Sequence, residues 1–142
     1  MSTYFKLSEM LATSTGMYND PTNAMVASNI DSTMWRMDEV REALNKPVRI
    51  TSGYRSPAVN SRIGGSATSD HMKGLAVDFV CANMDPIDIC EMILDAYIEF
   101  DQLIAEYRNG VRWVHIGFGS NMRRQVLTFR DGKYHPGLVN PG

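Results

Sequence analysis

The chain has 142 residues, of which 44% are hydrophobic and 21% are charged, and its formal net charge at pH 7 is −2. This size and composition predict one folded domain over residues 1–142 and argue against a disordered chain. The near-neutral charge argues against a nucleic-acid-binding protein, and the lack of a long apolar run argues against a membrane-spanning one.

Helical patterns dominate the first third of the chain. We expect Ser8 to cap a short first helix, and Asp20-Pro21 to begin a long second helix that ends before Pro47. Apolar residues spaced three and four apart form one face of the second helix, which predicts that this face is buried. These residues are Val26, Ile30, Met34, Met37, Val40 and Leu44.

Strand patterns dominate the rest of the chain. A further helix begins at Asp85-Pro86, residues 54–69 form a long polar loop, and Arg123-Arg124 are expected to lie in a solvated turn. This order of elements predicts an α+β fold, with a small, mainly antiparallel sheet packed against helices. The predicted strands cover residues 48–52, 75–80, 102–107, 111–118 and 125–130.

The dipeptide Asn109-Gly110 is typical of a two-residue hairpin turn. With that turn, Glu106 lies opposite Trp113 and shares a face of the sheet with His115, one diagonal step away. An inward glutamate beside a metal ligand is suited to act as a general base. A register slip of one residue would instead make Glu106 an exposed residue of the opposite face.

Two of the three histidines and one aspartate lie in settings that favour metal binding. His71 lies in the polar loop, Asp78 is the charged residue of an otherwise apolar strand, and His115 lies in a second apolar strand. A buried carboxylate without a partner costs several kcal/mol, so Asp78 needs a metal or a cation. Two imidazoles and one carboxylate leave a fourth position of a tetrahedral zinc site open, as hydrolysis requires.

Each of these residues also has a simpler interpretation. Asp78 can pair with Arg55 as a structural ion pair, and His115 can be a hydrogen-bonded core histidine. Arg55 is also suited to bind a substrate carboxylate or carbonyl oxygen. Ser69 can contact a ligand or substrate group, or be a plain loop serine, and His135 is expected to be a surface or structural residue.

Three motifs together resemble the D-Ala-D-Ala carboxypeptidase family of zinc peptidases. Residues 52–57 read Ser-Gly-Tyr-Arg-Ser-Pro, residues 69–78 contain Ser-x-His-x-x-Gly-x-Ala-x-Asp, and residues 113–115 read Trp-x-His. The resemblance covers most of the chain, including residues 5–9 and 124–129, and it is strongest for the carboxypeptidase branch with its bacteriophage-encoded members.

This resemblance implies a single zinc peptidase domain with a Hedgehog/D-Ala-D-Ala peptidase-like fold, acting as a carboxypeptidase or endopeptidase on stem or cross-bridge peptides of bacterial cell wall. It implies that Zn2+ is held by His71, Asp78 and His115, and that Arg55 stabilises the substrate or the oxyanion. In part of the family a catalytic glutamate lies three residues before the last histidine. Arg112 occupies that position here, so Glu106 is the candidate base.

The expected partner is a peptidoglycan peptide, with no nucleic acid and no membrane, and the expected state is a monomer, with association with a phage particle as a further option. The first nine residues lack a signal-peptide pattern, which predicts cytoplasmic synthesis followed by action on the wall as a phage lysin or a virion component. The alternative is an inactive metal-binding module of the same fold. This alternative stays open because Arg112 occupies the position of the catalytic glutamate found in part of the family. Cys81 and Cys90 are expected to be buried, inert thiols.

Overall fold

A computed structural model describes residues 2–140 of the chain. Within this range, no helix combines the length and apolar character needed to cross a bilayer. The helices are α1 (Leu7–Leu11), α2 (Ala24–Leu44), α3 (Pro57–Arg62) and α4 (Pro86–Asp95), with a 3-10 turn at Asp70–Lys73. The strands are β1 (Val48–Ser52), β2 (Ala76–Cys81), β3 (Gln102–Arg108), β4 (Val111–Gly117), β5 (Gln125–Arg130) and β6 (Lys133–Pro136).

The six strands form one sheet in the order β1-β2-β4-β3-β5-β6, which confirms the α+β class. The pairing of β3 with β5 is parallel and the other pairings are antiparallel, so the sheet is mixed and the prediction of a mainly antiparallel sheet is corrected. The cause is the connection over residues 118–124. It returns the chain to the start of β3, where Gln125 pairs with Gln102, and β5 therefore runs in the direction of β3.

The alternation of side chains along the strands separates a core face from a functional face. On β3, Leu103 and Ala105 are fully buried in the core, whereas Ile104 and Glu106 line a cleft on the other face. Helices α2 and α4 cover the core face. The predicted apolar face of α2 packs into this core, and its residues Ile30 and Val40 are almost inaccessible to solvent. The second face is thereby left free for the cleft.

Helix starts were predicted with mixed success. The N-cap of α4 is Asp85, whose carboxylate accepts a hydrogen bond from the backbone N–H of Ile87, as predicted. Asp20 does not cap α2, because the side chain of Asn23 accepts the first free N–H groups instead. Ser8 does not cap α1 either, since it lies within that helix. Helix α3 and strand β6 were not predicted.

Arg123 and Arg124 are exposed in the connection before β5, as a solvated turn predicts, but both side chains are also bound to the rest of the fold. Arg123 donates from its backbone N–H and Nε to Asp101 Oδ1, and from Nη2 to Asp101 Oδ2, all within 3.0 Å. Arg124 donates to the carbonyl of Ile98 and lies over the ring of Phe100. Both arginines therefore fasten the connection between β4 and β5 to the start of β3.

The Asp101 contacts make fold stability dependent on acid pH. The hydrogen bonds from Arg123 hold the pKa of Asp101 below its ordinary value. A depressed folded-state pKa contributes stability above the unfolded value of about 3.9, and this contribution is lost as the pH falls through the folded-state value. We expect Asp101→Asn to be less stable than wild type in urea unfolding at pH 7, with the difference shrinking below pH 4. An unchanged difference at pH 3 would contradict this.

Candidate metal centre

His71, Asp78 and His115 converge on the functional face of the sheet. Asp78 and His115 are directly paired across β2 and β4, and Asp78 Oδ1 lies 3.0 Å from His115 Nδ1. His71 enters from the 3-10 turn, with its Nε2 3.4 Å from the same oxygen. One ligand atom from each residue lies within 4.8 Å of the others. These are the three residues that the sequence singled out, and the structure brings them together.

The ring of His71 is held in the orientation that a metal ligand requires. Its Nδ1 lies 2.7 Å from the backbone carbonyl oxygen of Gly53, so this nitrogen carries the proton and donates it to the carbonyl. The other nitrogen, Nε2, is buried and has no hydrogen-bond partner among residues 2–140. A buried ring nitrogen with a free lone pair beside a carboxylate is suited to bind a metal ion. The hydrogen bond from Nδ1 to the backbone is also typical, because metal-binding histidines are usually oriented by a hydrogen bond from the ring nitrogen that does not bind the metal.

The electrostatics of Asp78 and His115 agree with this interpretation. Burial alone would raise the pKa of Asp78, but its interactions with the imidazoles of His71 and His115 outweigh burial and hold the pKa well below its usual range. Asp78 is therefore ionised at neutral pH, as a ligand must be. Burial alone would lower the pKa of His115, but the hydrogen bond and charge of Asp78 outweigh burial and raise it.

The ion pair between Arg55 and Asp78, left open by the sequence, is present. Arg55 Nη2 lies 3.1 Å from Asp78 Oδ2, while Oδ1 faces the two histidines. Arg55 Nε also donates to Ser52 Oγ at 3.1 Å, which fixes the plane of the guanidinium. The two interpretations of Asp78 are therefore compatible, since each oxygen of the carboxylate has its own set of neighbours.

Glu106 lies on the predicted face. It pairs with Trp113 in the hairpin, is only 6% exposed, and is near enough for its charge to raise the pKa of His115. The register slip is therefore excluded. Arg108 holds the carboxylate by donating from Nε and Nη2 to Glu106 Oε1 at 3.1 and 3.0 Å. Arg112 instead lies on the opposite face, where it donates to Asp85.

The remaining predicted residues have structural contacts. Ser69 caps the 3-10 turn by accepting the backbone N–H of His71, and it borders the cleft. Cys81 and Cys90 are free and buried, as predicted. His135 is half-buried in β6, away from the cluster.

The cleft around the cluster has a volume of about 640 Å³ and a polar wall. Sequence reasoning missed Asp70, Arg108, Arg123 and Tyr134 in this wall. Arg108 could have been found, because it is two residues beyond Glu106 on the same strand and therefore shares its face. The others lie in turns or on the unpredicted strand β6, so no periodicity marks them.

Gly53 is expected to tolerate no side chain. A Cβ there would lie 2.7 Å from the carbonyl oxygen of Met10, a backbone atom that cannot easily move. Gly53→Ala should therefore destabilise the fold by about 1–3 kcal/mol, the usual range for overpacking, and weaken zinc binding by displacing the carbonyl that orients His71. Urea unfolding and competitive zinc titration measure both effects. Gly117→Ala is the control for stability only, since the nearest atom to its Cβ is His115 Nε2 at 3.7 Å, an ordinary contact distance; an equal loss of stability at both glycines would contradict the steric argument.

Two imidazoles and one carboxylate, with a cleft beside them, are the donor set typical of a mononuclear metal centre of the hydrolytic type. Residues 3–117 match the model of the family described as peptidase M15, and the chain belongs to that family. A relative, the zinc D-Ala-D-Ala carboxypeptidase of Streptomyces albus G, is 39% identical over 56 residues, which are 39% of this chain and 22% of the relative. The aligned region thus spans about a fifth of that relative. Family, relative and the His–Asp–His cluster all indicate Zn2+ as the cofactor.

Proposed function

We propose that the chain is a zinc-dependent peptidase that hydrolyses stem or cross-bridge peptides of bacterial peptidoglycan. The observation that carries this proposal is the placement of Glu106 on the same face as the His71, Asp78 and His115 cluster, in one cleft. A metal site with a carboxylate beside it is the arrangement that peptide hydrolysis by water requires.

In this proposal His71, Asp78 and His115 are the zinc ligands. Zinc, when bound, would supply Lewis-acid chemistry by polarising the scissile carbonyl and lowering the pKa of water. His71 is fixed for this role by Gly53, and Asp78 is ionised without any change in the fold. One ligand atom from each of the three residues already lies within 4.8 Å of the others, so the side chains are gathered around one position.

Glu106 is proposed as the general base. Arg108 binds only Oε1 of its carboxylate, so Oε2 has no hydrogen-bond partner among the described residues and can accept a proton from the attacking water. The proton then passes to the leaving amine, as in general acid–base catalysis. Arg55 keeps two N–H groups beyond its bonds to Ser52, Asn60 and Asp78, and these can donate to the carbonyl oxygen as negative charge develops there.

The substrate class is supported by the relative and by the motifs. The relative is named a zinc D-Ala-D-Ala carboxypeptidase, and the three motifs of this chain resemble that family. The polar wall of the cleft suits a peptide with charged groups more than an apolar ligand. We propose peptidoglycan peptides, cut at or beside D-amino acids, as the substrates.

Mass spectrometry of peptidoglycan fragments tests this function. We expect the zinc-loaded protein to convert purified muropeptides to products that are shorter by D-alanine or cut within the peptide, and a chelator to stop the reaction. The mass of the product also names the bond that is cleaved. Intact muropeptides after incubation with the zinc-loaded protein would contradict the proposed function.

An inactive metal-binding module of the same fold is the second candidate. Two observations favour it: Glu106 is paired with Arg108, and Arg112 lies on the opposite face from the cluster. This candidate predicts stoichiometric zinc without turnover, whereas the peptidase predicts both. The Hedgehog/D-Ala-D-Ala peptidase-like fold name and the single-domain organisation stay predictions.

We further propose that the protein reaches the cell wall as a phage lysin or as a virion component, and that it acts as a monomer. The support is the resemblance of its motifs to bacteriophage-encoded members of the family. Immunodetection in purified particles, compared with the lysate of an infected host, would separate a virion component from a free lysin.

A further inference from the structure

The cleft contains a guanidinium that the proposed mechanism does not use, that of Arg123. We propose that Arg123 binds the free C-terminal carboxylate of the substrate, and that the protein therefore prefers peptides ending in an acid to peptides ending in an amide. This inference rests on the proposed peptidase function and adds a determinant of substrate choice to it.

The orientation of Arg123 is fixed before any substrate binds. Asp101 is 4% exposed, and its two oxygens accept Nε and Nη2 of Arg123 at 2.9 Å each, with the backbone N–H of Arg123 as a third donor. The side chain of Arg123 is nevertheless 52% exposed. A buried acid thus holds an accessible guanidinium in one plane, so little side-chain entropy remains to be lost when a ligand binds.

The Asp101 contacts leave the end of the guanidinium free. They use the edge formed by Nε and Nη2, whereas Nη1 has no hydrogen-bond partner among residues 2–140. Nη1 and the second N–H of Nη2 form a fork that matches the two oxygens of a carboxylate. The other two arginines of the cleft are less accessible, since the side chains of Arg55 and Arg108 are 14% and 40% exposed and each is bound to an acid of the site.

The backbone around Arg123 is held in an unusual conformation. Met122 and Arg124, the residues on either side, have φ angles of 44° and 53°, in the left-handed region that side chains rarely adopt. Hydrogen bonds from Met122 N–H to Gly119 and from Arg124 N–H to Phe100 keep this shape. Such strain persists where the surrounding structure fixes it, often at ligand sites.

The position of Arg123 suits a carboxylate close to the scissile bond. His115 pairs with Ile104 of β3, and Asp101, which holds Arg123, comes just before Gln102 at the beginning of that strand. Two to three strand residues separate these levels, or about 7–10 Å. A carboxyl carbon one residue beyond the scissile carbonyl lies about 3.5 Å away, and a hydrogen bond adds about 3 Å. These two lengths sum to about 6.5 Å, and the Arg123 guanidinium, which extends from Asp101 into the same cleft as His115, covers the remaining few ångströms. Arg123 is therefore placed for a carboxylate on the residue that leaves, on the opposite side of the cluster from Glu106.

Asp70 is the group that opposes an anion at this place. Its carboxylate is near Gly119 and close enough to Arg123 to interact with its charge. Lys73 Nζ lies 3.7 Å from Asp70 Oδ1 and offsets the negative charge of Asp70 only in part. The charge of Asp70 is therefore expected to weaken carboxylate binding and to favour a ligand with a neighbouring ammonium group. Asp70→Asn should bind the acid peptide more tightly than wild type does, in the opposite direction to a change at Arg123.

The test compares two probes, an N-acylated tripeptide ending in D-Ala-D-Ala and the same peptide as its C-terminal amide. Calorimetry on the zinc-loaded protein gives Kd, and product analysis gives KM and kcat. We expect wild type to bind the acid about 10- to 100-fold more tightly than the amide, as a charge-assisted pair of hydrogen bonds predicts. Arg123→Gln should bring the Kd and KM of the acid to those of the amide, with a smaller change in kcat.

Arg124→Gln is the matched control. Arg124 fastens the same connection through Ile98 and Phe100, and it does not line the cleft, so its loss should lower thermal stability and keep the preference for the acid. An Arg123→Gln variant that keeps the preference would overturn the inference. Equal binding of acid and amide by wild type would overturn it too, even if no Arg123 variant folds. If both probes are hydrolysed and have equal Kd, the proposed function holds and this inference is wrong. If the acid binds more tightly but neither probe is hydrolysed, this inference holds and the proposed function is wrong.

Discussion

Replacing Glu106 by glutamine is expected to lower kcat by about 10²- to 10⁴-fold, the range typical for loss of a general base. Glutamine has the same shape and keeps an oxygen that can accept the N–H groups of Arg108, so the hairpin and the cleft should be preserved. Zinc content should stay near one ion per chain, because Glu106 is not part of the His–Asp–His cluster. Steady-state kinetics on a soluble D-Ala-D-Ala peptide, with zinc measured on the same sample, checks both expectations.

Glu99→Gln provides a matched control for that change. Glu99 is exposed, precedes β3 and does not line the cleft, so the same substitution there should leave kcat within about twofold of wild type, in line with the small effects usual at surface positions. If Glu106→Gln kept full turnover with zinc bound, Glu106 would not be the base, and another acid of the cleft such as Asp70 would have to be tested.

Replacing either histidine of the cluster is expected to abolish stable zinc binding. His71→Ala and His115→Ala each remove one of three ligands, so zinc affinity should fall by more than the roughly 10- to 100-fold typical for loss of an outer-shell partner. Competition with a chromophoric chelator measures the affinity. Turnover should fall with zinc content, since the same ion serves both.

His135→Ala is the control for both substitutions. His135 lies on β6, where it pairs with Thr128 of β5, outside the cluster. Its loss should therefore leave zinc affinity unchanged. Circular dichroism of all three variants separates loss of zinc from loss of fold, which matters for His71 because its ring also donates to Gly53. Zinc affinity that depended equally on all three histidines would argue against the proposed ligand set.

The sequence predicted the parts of the site that depend on local periodicity. The Asn109-Gly110 turn fixed the register of β3 and β4, and this register alone decided that Glu106 and His115 share a face. Asp78 was recognisable because a charge in an apolar strand needs a partner, and the structure supplies two histidines and Arg55. Such signals can be recognised in the sequence because each is determined by residues that are close to one another along the chain.

Features that depend on distant contacts could not be predicted. Alternation predicts that residues 125–130 form a strand, but it carries no information on strand direction, so the parallel pairing of β3 and β5 was missed. The bonding of the exposed Arg123 to Asp101 was missed because Asp101 lies 22 positions earlier in the chain. The predicted cap of α2 was wrong for a similar reason, since four polar residues near Pro21 can act as an N-cap and only the path of the chain selects Asn23.

X-ray absorption at the zinc edge tests most directly whether the two imidazoles and the carboxylate coordinate the ion. The spectrum is recorded on the protein loaded with one equivalent of zinc. The result we expect is nitrogen and oxygen neighbours at about 2.0–2.2 Å, with imidazole scattering from two rings and no sulfur at about 2.3 Å. A sulfur shell, which would place the ion at Cys81 or Cys90, or an ion that washes off without leaving any protein neighbours, would contradict the account.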